Sequence, residues 1–335
     1  MRTKLHNRAA GALYGLALGD ALGMPTQMLP RELIIARYGR VLTGFHPAPA
    51  DHPLAAGMPA GSVTDDTEQA LLLAQLLVDG AGTVDAAELA RRLAAWEDDM
   101  RARGSLDLLG PSTKLAIERV LAGAPLDEVG RLGTTNGAAM RITPVGIAVP
   151  AANLDALVDH VVEASELTHN TGVALAGAAA VAAAVSAGID GATVPEAVAL
   201  AVEAARRAVR RGFWVAAADV AERIIWATEL VRGASAEQAS ERVNLLVGTS
   251  LATQESVPAA FALLSALQDD PWQATLLAAS VGGDCDTIAA MTGAIAGACH
   301  GVDAFPADAR ATVARVNDLD LDTVADRLLK LREQA

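Results

Sequence analysis

Thr64-Asp65-Asp66-Thr67 places two adjacent carboxylates between two hydroxyls. Ala70, Leu73, Ala74 and Leu77 follow at i, i+3, i+4 and i+7, which predicts a helix starting at the motif. Such residues at a helix start have an ordinary use: they accept hydrogen bonds from the first unpaired N–H groups, where the helix dipole favours negative charge. The theme returns far down the chain. Gly282-Gly283-Asp284-Cys285-Asp286-Thr287 again sets carboxylates and a hydroxyl just before an apolar helix. Two helix starts rich in hard oxygen donors can face each other around cations. Oxygen-only ligands suit magnesium or manganese rather than zinc. Cys285, between the two Asp of the second motif, reads as a small buried thiol, because successive residues at a turn point apart.

Other segments carry weaker signals. Asp20 lies in a helix of small residues, where it caps a neighbouring backbone or orients a ligand. Gly133-Thr134-Thr135-Asn136-Gly137-Ala138-Ala139-Met140-Arg141 contains an Asn-Gly pair that permits positive φ, so its N–H groups can form an anion-binding nest or a plain turn. Asp107 sits in a turn ahead of a helix, and most such Asp residues form turns. His169 precedes an Ala-rich helix, where a lone histidine is more often structural than a base.

The elements that position these motifs are predicted to be helices. Apolar residues make up 52% of the chain but aromatics only 3%, and much of the apolar content is Ala, the best helix former. Strand-like alternation is scarce. Helices are predicted over 9–22, 67–78, 83–103, 112–121, 153–169, 173–187, 194–211, 216–232, 236–247, 255–267 and 271–281. Another follows the second motif, and a last one carries Leu321, Val324, Ala325 and Leu328. Residues 28–60 are rich in Pro and Gly and read as a loop, either a lid or a surface excursion. Trp214 and Trp226 are expected at core or rim positions. A chain of 335 residues allows one large domain or two, and no linker or repeat divides it, so a single domain over 1–335 is expected.

The formal charge of −14 opposes nucleic acid unless a local basic patch overrides it. The best such patch, Arg206-Arg207-Ala208-Val209-Arg210-Arg211, reads as the solvated face of a helix. Two cysteines, Cys285 and Cys299, are too few for a disulfide scaffold and suggest a reduced, cytoplasmic protein. The basic first residues are not followed by a signal-peptide core. Residues 173–187, the longest apolar run, are short and weakly hydrophobic for a membrane span and read as a buried helix.

Five segments in order, GALYGLALGDALGMP, GSVTDDTEQALLLA, TNGAAMRITPVG, THNTGVALAGAAAV and GGDCDTIAAMTGAIAGACHG, give the chain a resemblance to the ADP-ribosylglycohydrolase family. The resemblance covers about residues 9–301 and rests above all on the TDDT and GGDxDT pair. It implies one compact all-α domain with a central two-metal site of magnesium or manganese. Thr64, Asp65 and Asp66 would bind metal from one side, and Asp284, Asp286 and Thr287 from the other. Such a pair, about 3.5–4 Å apart, can orient a ribose cis-diol. The implied reaction is hydrolysis of an N- or O-glycosidic bond at ribose C1 through an oxocarbenium-like transition state. Asp66 or Asp286 would orient or deprotonate the water.

The resemblance also implies that Asn136 and Gly137 clamp phosphate or ribose, that His169 faces substrate, and that Asp107 faces the leaving group. Two departures bear on function. Many family members carry a glutamate where this chain has Gln27, which hydrogen-bonds but takes no proton near neutral pH; Glu68 is the substitute base to consider, or a first-turn dipole partner. The 133–139 loop also lacks an aromatic ring for adenine. The implied activity is removal of ADP-ribose from a protein side chain or small acceptor. The alternatives are hydrolysis of a nucleoside or other small ribosyl compound, and a catalytically silent ribosyl-binding protein. Neither nucleic acid nor membrane is an expected partner.

Overall fold

The computed structural model describes residues 3–106 and 109–334, and among them helices form every regular element. In order these are α1 (Lys4–Gly23), α2 (Arg31–Tyr38), α3 (Asp65–Asp79), α4 (Ala86–Ala102), α5 (Pro111–Leu121) and α6 (Gly137–Met140). Next come α7 (Thr143–Ala148), α8 (Leu154–His169), α9 (Gly172–Ile189), α10 (Val194–Ala208), α11 (Val220–Leu230) and α12 (Ala236–Arg242). The last are α13 (Thr253–Ala266), α14 (Pro271–Ala278), α15 (Cys285–His300), α16 (Ala307–Val316) and α17 (Leu321–Arg332).

Three helices form the centre because they have no polar face to turn outward. Every residue of α9 is buried, as is α15 from Cys285 to Cys299 and, apart from half-buried Tyr14, α1 from Ala9 to Gly23. Helix α9 is long and apolar enough to cross a membrane by length and composition, yet it lies wholly inside the protein. Ala and Gly at these positions bring backbones together. Helices α1 and α15 run antiparallel: a Cβ on Gly15 would lie 2.0 Å from the Gly293 carbonyl oxygen, and one on Gly11 2.3 Å from that of Gly297. At the other end, a Cβ on Gly23 would lie 2.2 Å from Asp286 Cα. The C-terminal end of α1, with Asp20, is thus fixed against the start of α15, with Asp286.

The remaining helices wrap this centre with conventional ends. Asn153 caps α8 through Ala156 N–H, Asp85 caps α4 through Glu88 N–H, and Thr193 with Glu196 forms a capping box on α10. Near the chain end, buried Arg332 donates to the Ile147 and Val149 carbonyls and to Ser186 Oγ, and pairs with Asp190 at 2.6 Å. That side chain fastens α17 to α7 and α9.

Several expectations need correction. The 28–60 segment contains α2, a short helix with only Ile34 buried, so it shows almost no periodic signal. It is also fastened: Leu42 N–H donates to Ser280 Oγ, Ala48 N–H to the Met58 carbonyl, and His52 Nδ1 accepts from Ala55 N–H. Helices α6 and α7 are likewise too short for periodicity to reveal, and α16 buries only Ala309 and Val313. The helix expected over 236–247 stops at Arg242, gives way to a π-turn over Val243–Val247, and ends at Gly248 with φ of 89°. Trp214 is 85% exposed rather than packed, while Trp226 lies under the Arg223 guanidinium. The basic run is solvated, as expected, and three of its four arginines are paired: Arg206 with Glu222, Arg207 with Asp155 and Glu203, and Arg211 with Asp159.

Candidate active site

The first motif opens α3, but its own side chains do not cap the helix. Asp20 does so from α1. Its carboxylate accepts Thr64 N–H at 3.0 Å, Thr67 N–H at 3.1 Å, Thr64 Oγ1 at 2.7 Å and Thr67 Oγ1 at 2.5 Å. The capping duty is therefore discharged by a residue outside the motif. Asp66, fully buried at the second position of α3, keeps both carboxylate oxygens without a hydrogen-bond partner. Asp65 accepts Gln69 Nε2 at 3.2 Å one turn along.

The second motif is seated by backbone. Gly283 exchanges hydrogen bonds with the strap after α1: Met28 N–H reaches the Gly283 carbonyl, and Gly283 N–H the Leu29 carbonyl. Its φ is +69°, and a Cβ there would meet the Thr249 carbonyl oxygen at 2.3 Å, so glycine alone fits. Asp284 precedes α15 without capping it. Its carboxylate accepts Asn136 Nδ2 at 2.5 Å, and Asn136 also donates to Ser256 Oγ. Cys285 is buried and donates to Thr26 Oγ1 at 3.2 Å, away from ligand chemistry.

Both motifs meet at one cavity of ≈ 340 Å³, within the roughly 300–1,000 Å³ typical of small-molecule sites. Asp65, Asp284, Asp286 and Thr287 line it, as do Gln27, Asn136, Gly137 and His169; Thr64 and Asp66 lie buried behind this lining. The carboxylates repel one another. Burial, then the charges of Asp20, Asp65, Asp286 and Asp284, push Asp66 well above the usual carboxylate range. Burial raises Asp20 and Asp284 to about 6. Among the described residues, no three His, Cys, Asp or Glu side chains are already closed into metal-coordination geometry. The donor chemistry nonetheless fits hard cations, because Asp66 presents two bare buried oxygens that need a proton or a positive ion.

The same cavity carries a cation of its own. Arg141 is 1% exposed, and among the described residues no carboxylate lies within ion-pair distance. Burial lowers it to about 10 against the opposing pull of the Asp65 charge, and among the described residues its Nε has no partner. Nη2 donates to Thr168 Oγ1 at 2.7 Å and Nη1 to Gln69 Oε1 at 3.4 Å. Thr168 Oγ1 is 2.7 Å from His169 Nδ1, and His169 Nε2 is 3.0 Å from Thr135 Oγ1. Burial, reinforced by Arg141, drops His169 to about 3, so the ring is neutral.

Comparison with known proteins decides what this arrangement belongs to. The family model for ADP-ribosylglycohydrolase matches residues 1–335. The chain belongs to the ADP-ribosylglycohydrolase family. It is similar to the uncharacterised protein YegU of Escherichia coli (strain K12), 39% identical over 98% of each chain. It is also similar to the ADP-ribosyl-[dinitrogen reductase] glycohydrolase of Rhodospirillum rubrum, 34% identical over 50% of this chain and 52% of the relative. A solved ADP-ribosylglycohydrolase-related protein complex superposes with a TM-score of 0.68 at 26% identity, covering 98% of this chain and 99% of that one. Members of the ADP-ribosylglycohydrolase family are hydrolases that act on glycosidic bonds, and this chain is an enzyme of that class.

Within that family frame, several positions differ from expectation. Asn136 has φ of −75° and Gly137 begins α6, so the left-handed nest does not form. Glycine is needed at 137 for another reason: a Cβ would lie 2.8 Å from His169 Cε1. The Asn136 amide is committed to Asp284 and Ser256, which makes it a support for the carboxylate. Glu68 points elsewhere, accepting from Trp96 Nε1 and Arg103, and cannot serve as a base here. Gln27 is buried at the cavity with its Nε2 unpartnered. Asp107 lies outside the described residues. Sequence reasoning did not find Arg141, Gln69, Thr135 or Thr168. The only signal for Arg141 was a charge set among Ala, Met and Ile, which demands a partner.

Proposed function

We propose that the cavity hydrolyses the C1 linkage of an ADP-ribosyl group on a protein side chain or small acceptor, with two divalent cations, Mg2+ or Mn2+, in attendance. The observation behind this reading is that one cavity, lined by Asp65, Asp284 and Asp286 and backed by Asp66 with its two bare oxygens, also holds a buried guanidinium that among the described residues makes no ion pair. The carboxylates suit cations and, through them, a ribose diol. Arg141 suits the negative charge of a diphosphate, which a plain nucleoside lacks. The cavity lining among the described residues contains no Phe, Tyr or Trp, so the base would rest on aliphatic side chains such as Leu109, Met140 and Leu251.

The residues that would hold the cations are Thr64, Asp65 and Asp66 from the α3 start, and Asp284, Asp286 and Thr287 from the α15 start. When bound, the cations supply charge stabilisation and orientation of the ribose hydroxyls. Asp20 draws the Thr64 hydroxyl proton toward itself and leaves the oxygen's lone pairs for a ligand. Asn136 fixes the Asp284 carboxylate. Asp66 or Asp286 takes the proton of the attacking water. Gln27 offers an N–H donor to hold that water or the substrate, in place of a base.

The test is product formation from ADP-ribosyl-arginine, ADP-ribosyl-serine and simple nucleosides, with magnesium, with manganese and after chelation. Metal-dependent release of ADP-ribose supports the reading and identifies the linkage. Release of ribose from nucleosides alone would move the function to small ribosyl compounds.

The Gln27 role gives a separate prediction. Gln27→Ala should slow turnover about tenfold, the worth of one hydrogen bond to a reacting group, with metal titration near normal. A variant with wild-type turnover would remove Gln27 from the reaction. Gln27→Glu should raise turnover if the missing carboxylate limits the rate.

A further inference from the structure

The geometry points to Arg141 as a positioning residue that sets the direction of a hydrogen-bond relay through Thr168 and His169, making the Thr135 hydroxyl a committed donor to an anionic oxygen of the ligand. The ligand identity rests on the reading just given; the direction of the relay does not.

The direction follows link by link. A guanidinium only donates, so Thr168 Oγ1 accepts from Arg141 Nη2 at 2.7 Å. Thr168 has one hydroxyl proton and two acceptors in reach: His169 Nδ1 at 2.7 Å and the Ser165 carbonyl at 3.5 Å. The 2.7 Å contact is a better bond for that proton than the 3.5 Å one, and in that arrangement Nδ1 is an acceptor. A neutral imidazole has one N–H, which then lies on Nε2. Nε2 donates to Thr135 Oγ1 at 3.0 Å. Thr135 lines the cavity, and its own proton is left to point into it. Burial and the Arg141 charge keep the ring neutral, so the relay does not break by protonation.

Packing holds the ring in place. A Cβ on Gly133 would lie 2.7 Å from His169 Cα, and one on Gly137 2.9 Å from Nε2. The same guanidinium orients a second branch. Gln69 turns its oxygen to Arg141 and its amide nitrogen to Asp65. One buried cation therefore fixes a donor for the anionic part of the ligand and supports a carboxylate on the cation side. His169 is then an element of binding and takes no part in proton transfer.

The experiment uses the full chain and two readouts. The first is 15N NMR of histidine-labelled protein, with the His169 signals identified by their loss in His169→Gln. The expected spectrum shows a neutral ring protonated on Nε2 throughout pH 5–8. Thr168→Ser should keep that tautomer, and Thr168→Val should lose it. A proton on Nδ1, or titration between pH 5 and 8, overturns the relay. The second readout is calorimetry with ADP-ribose and with adenosine, magnesium present. Thr135→Val should weaken ADP-ribose about 10–100-fold and leave adenosine unchanged. Unchanged ADP-ribose binding, or equal loss for both ligands, overturns Thr135 as the anion donor. Wild-type protein that binds no ADP-ribose overturns the substrate reading instead, and the His169 spectrum still decides the relay.

Discussion

Asp66→Asn should slow metal-dependent hydrolysis severely and, at the same time, make the metal-free protein more stable near neutral pH. Both outcomes come from one fact: Asp66 is fully buried, its two oxygens have no partner, and four other carboxylates bear on it. A group placed that way is a liability to the empty fold. Asn has nearly the same shape and no charge, so it relieves the repulsion. Its relief should show as a rise in melting temperature of a few degrees, since roughly 1 kcal/mol corresponds to about 2–4 °C in large domains. The rate should fall about 10³-fold, the equivalent of roughly 4 kcal/mol of lost charge stabilisation. Asp286→Asn should lose metal affinity and activity together. A normal metal titration in both variants would remove these residues from the cation site.

The pH dependence of stability has a definite sign. Asp20, Asp66 and Asp284 all have folded-state values raised above the ordinary Asp value of 3.8. A raised carboxylate favours the fold while both states are protonated, below about 4, and that contribution is lost as pH rises through about 6, where Asp20 and Asp284 titrate. The metal-free protein should therefore weaken from pH 4 toward pH 7. Magnesium or manganese should oppose this, so the melting-temperature gain on adding metal should be small at pH 5 and large at pH 7.5. A gain that is constant, or larger at pH 5, would contradict a carboxylate cation site. In Asp66→Asn the gain should shrink at every pH.

How much of this was legible in the sequence depends on whether the cause is local. The two motifs are local: carboxylates and hydroxyls precede helices whose apolar spacing is visible, and α3 and α15 start within a few residues of expectation. Sequence alone left open whether those carboxylates merely cap. The structure answers through Asp20, a residue 44 positions from Thr64 that takes over the capping. Such contacts leave no periodic trace. Arg141 and Gln69 escaped notice for the same reason, since Arg141 finds its partners on α8 and α3, and Gln69 on α3 meets Arg141 just after α6. Asn136-Gly137 left a nest and a plain turn open, and tertiary contact decides between them: the amide donates to Asp284, the glycine packs on the His169 ring, and the pair forms a turn into α6. Helix α2 was missed because eight residues with one buried side chain carry no amphipathic pattern.

Gly293→Ala should destabilise the protein by at least about 2 kcal/mol, against the usual direction of that change. Ala exceeds Gly in helix propensity by about 1 kcal/mol, so an uncrowded site would gain from it. At Gly293 the new Cβ would lie 2.1 Å from the Gly15 carbonyl oxygen and 2.7 Å from its carbon. Those are backbone atoms of a buried helix and cannot swing aside, so α1 and α15 must separate. Gly44 supplies the control. A Cβ there meets nothing within 4 Å, and Gly44→Ala should leave urea unfolding unchanged within about 0.5 kcal/mol. The consequence reaches the site, because α1 carries Asp20 and α15 carries Asp286, and the two helices touch again where Gly23 meets Asp286. Gly293→Ala should therefore weaken metal binding as well as the fold, although it lies about two turns along α15 from Asp286. Lost stability with undiminished metal affinity would show that the carboxylates are positioned by their own helix starts alone. Loss of both would make the glycine seam between α1 and α15 the device that sets the spacing of the cation site.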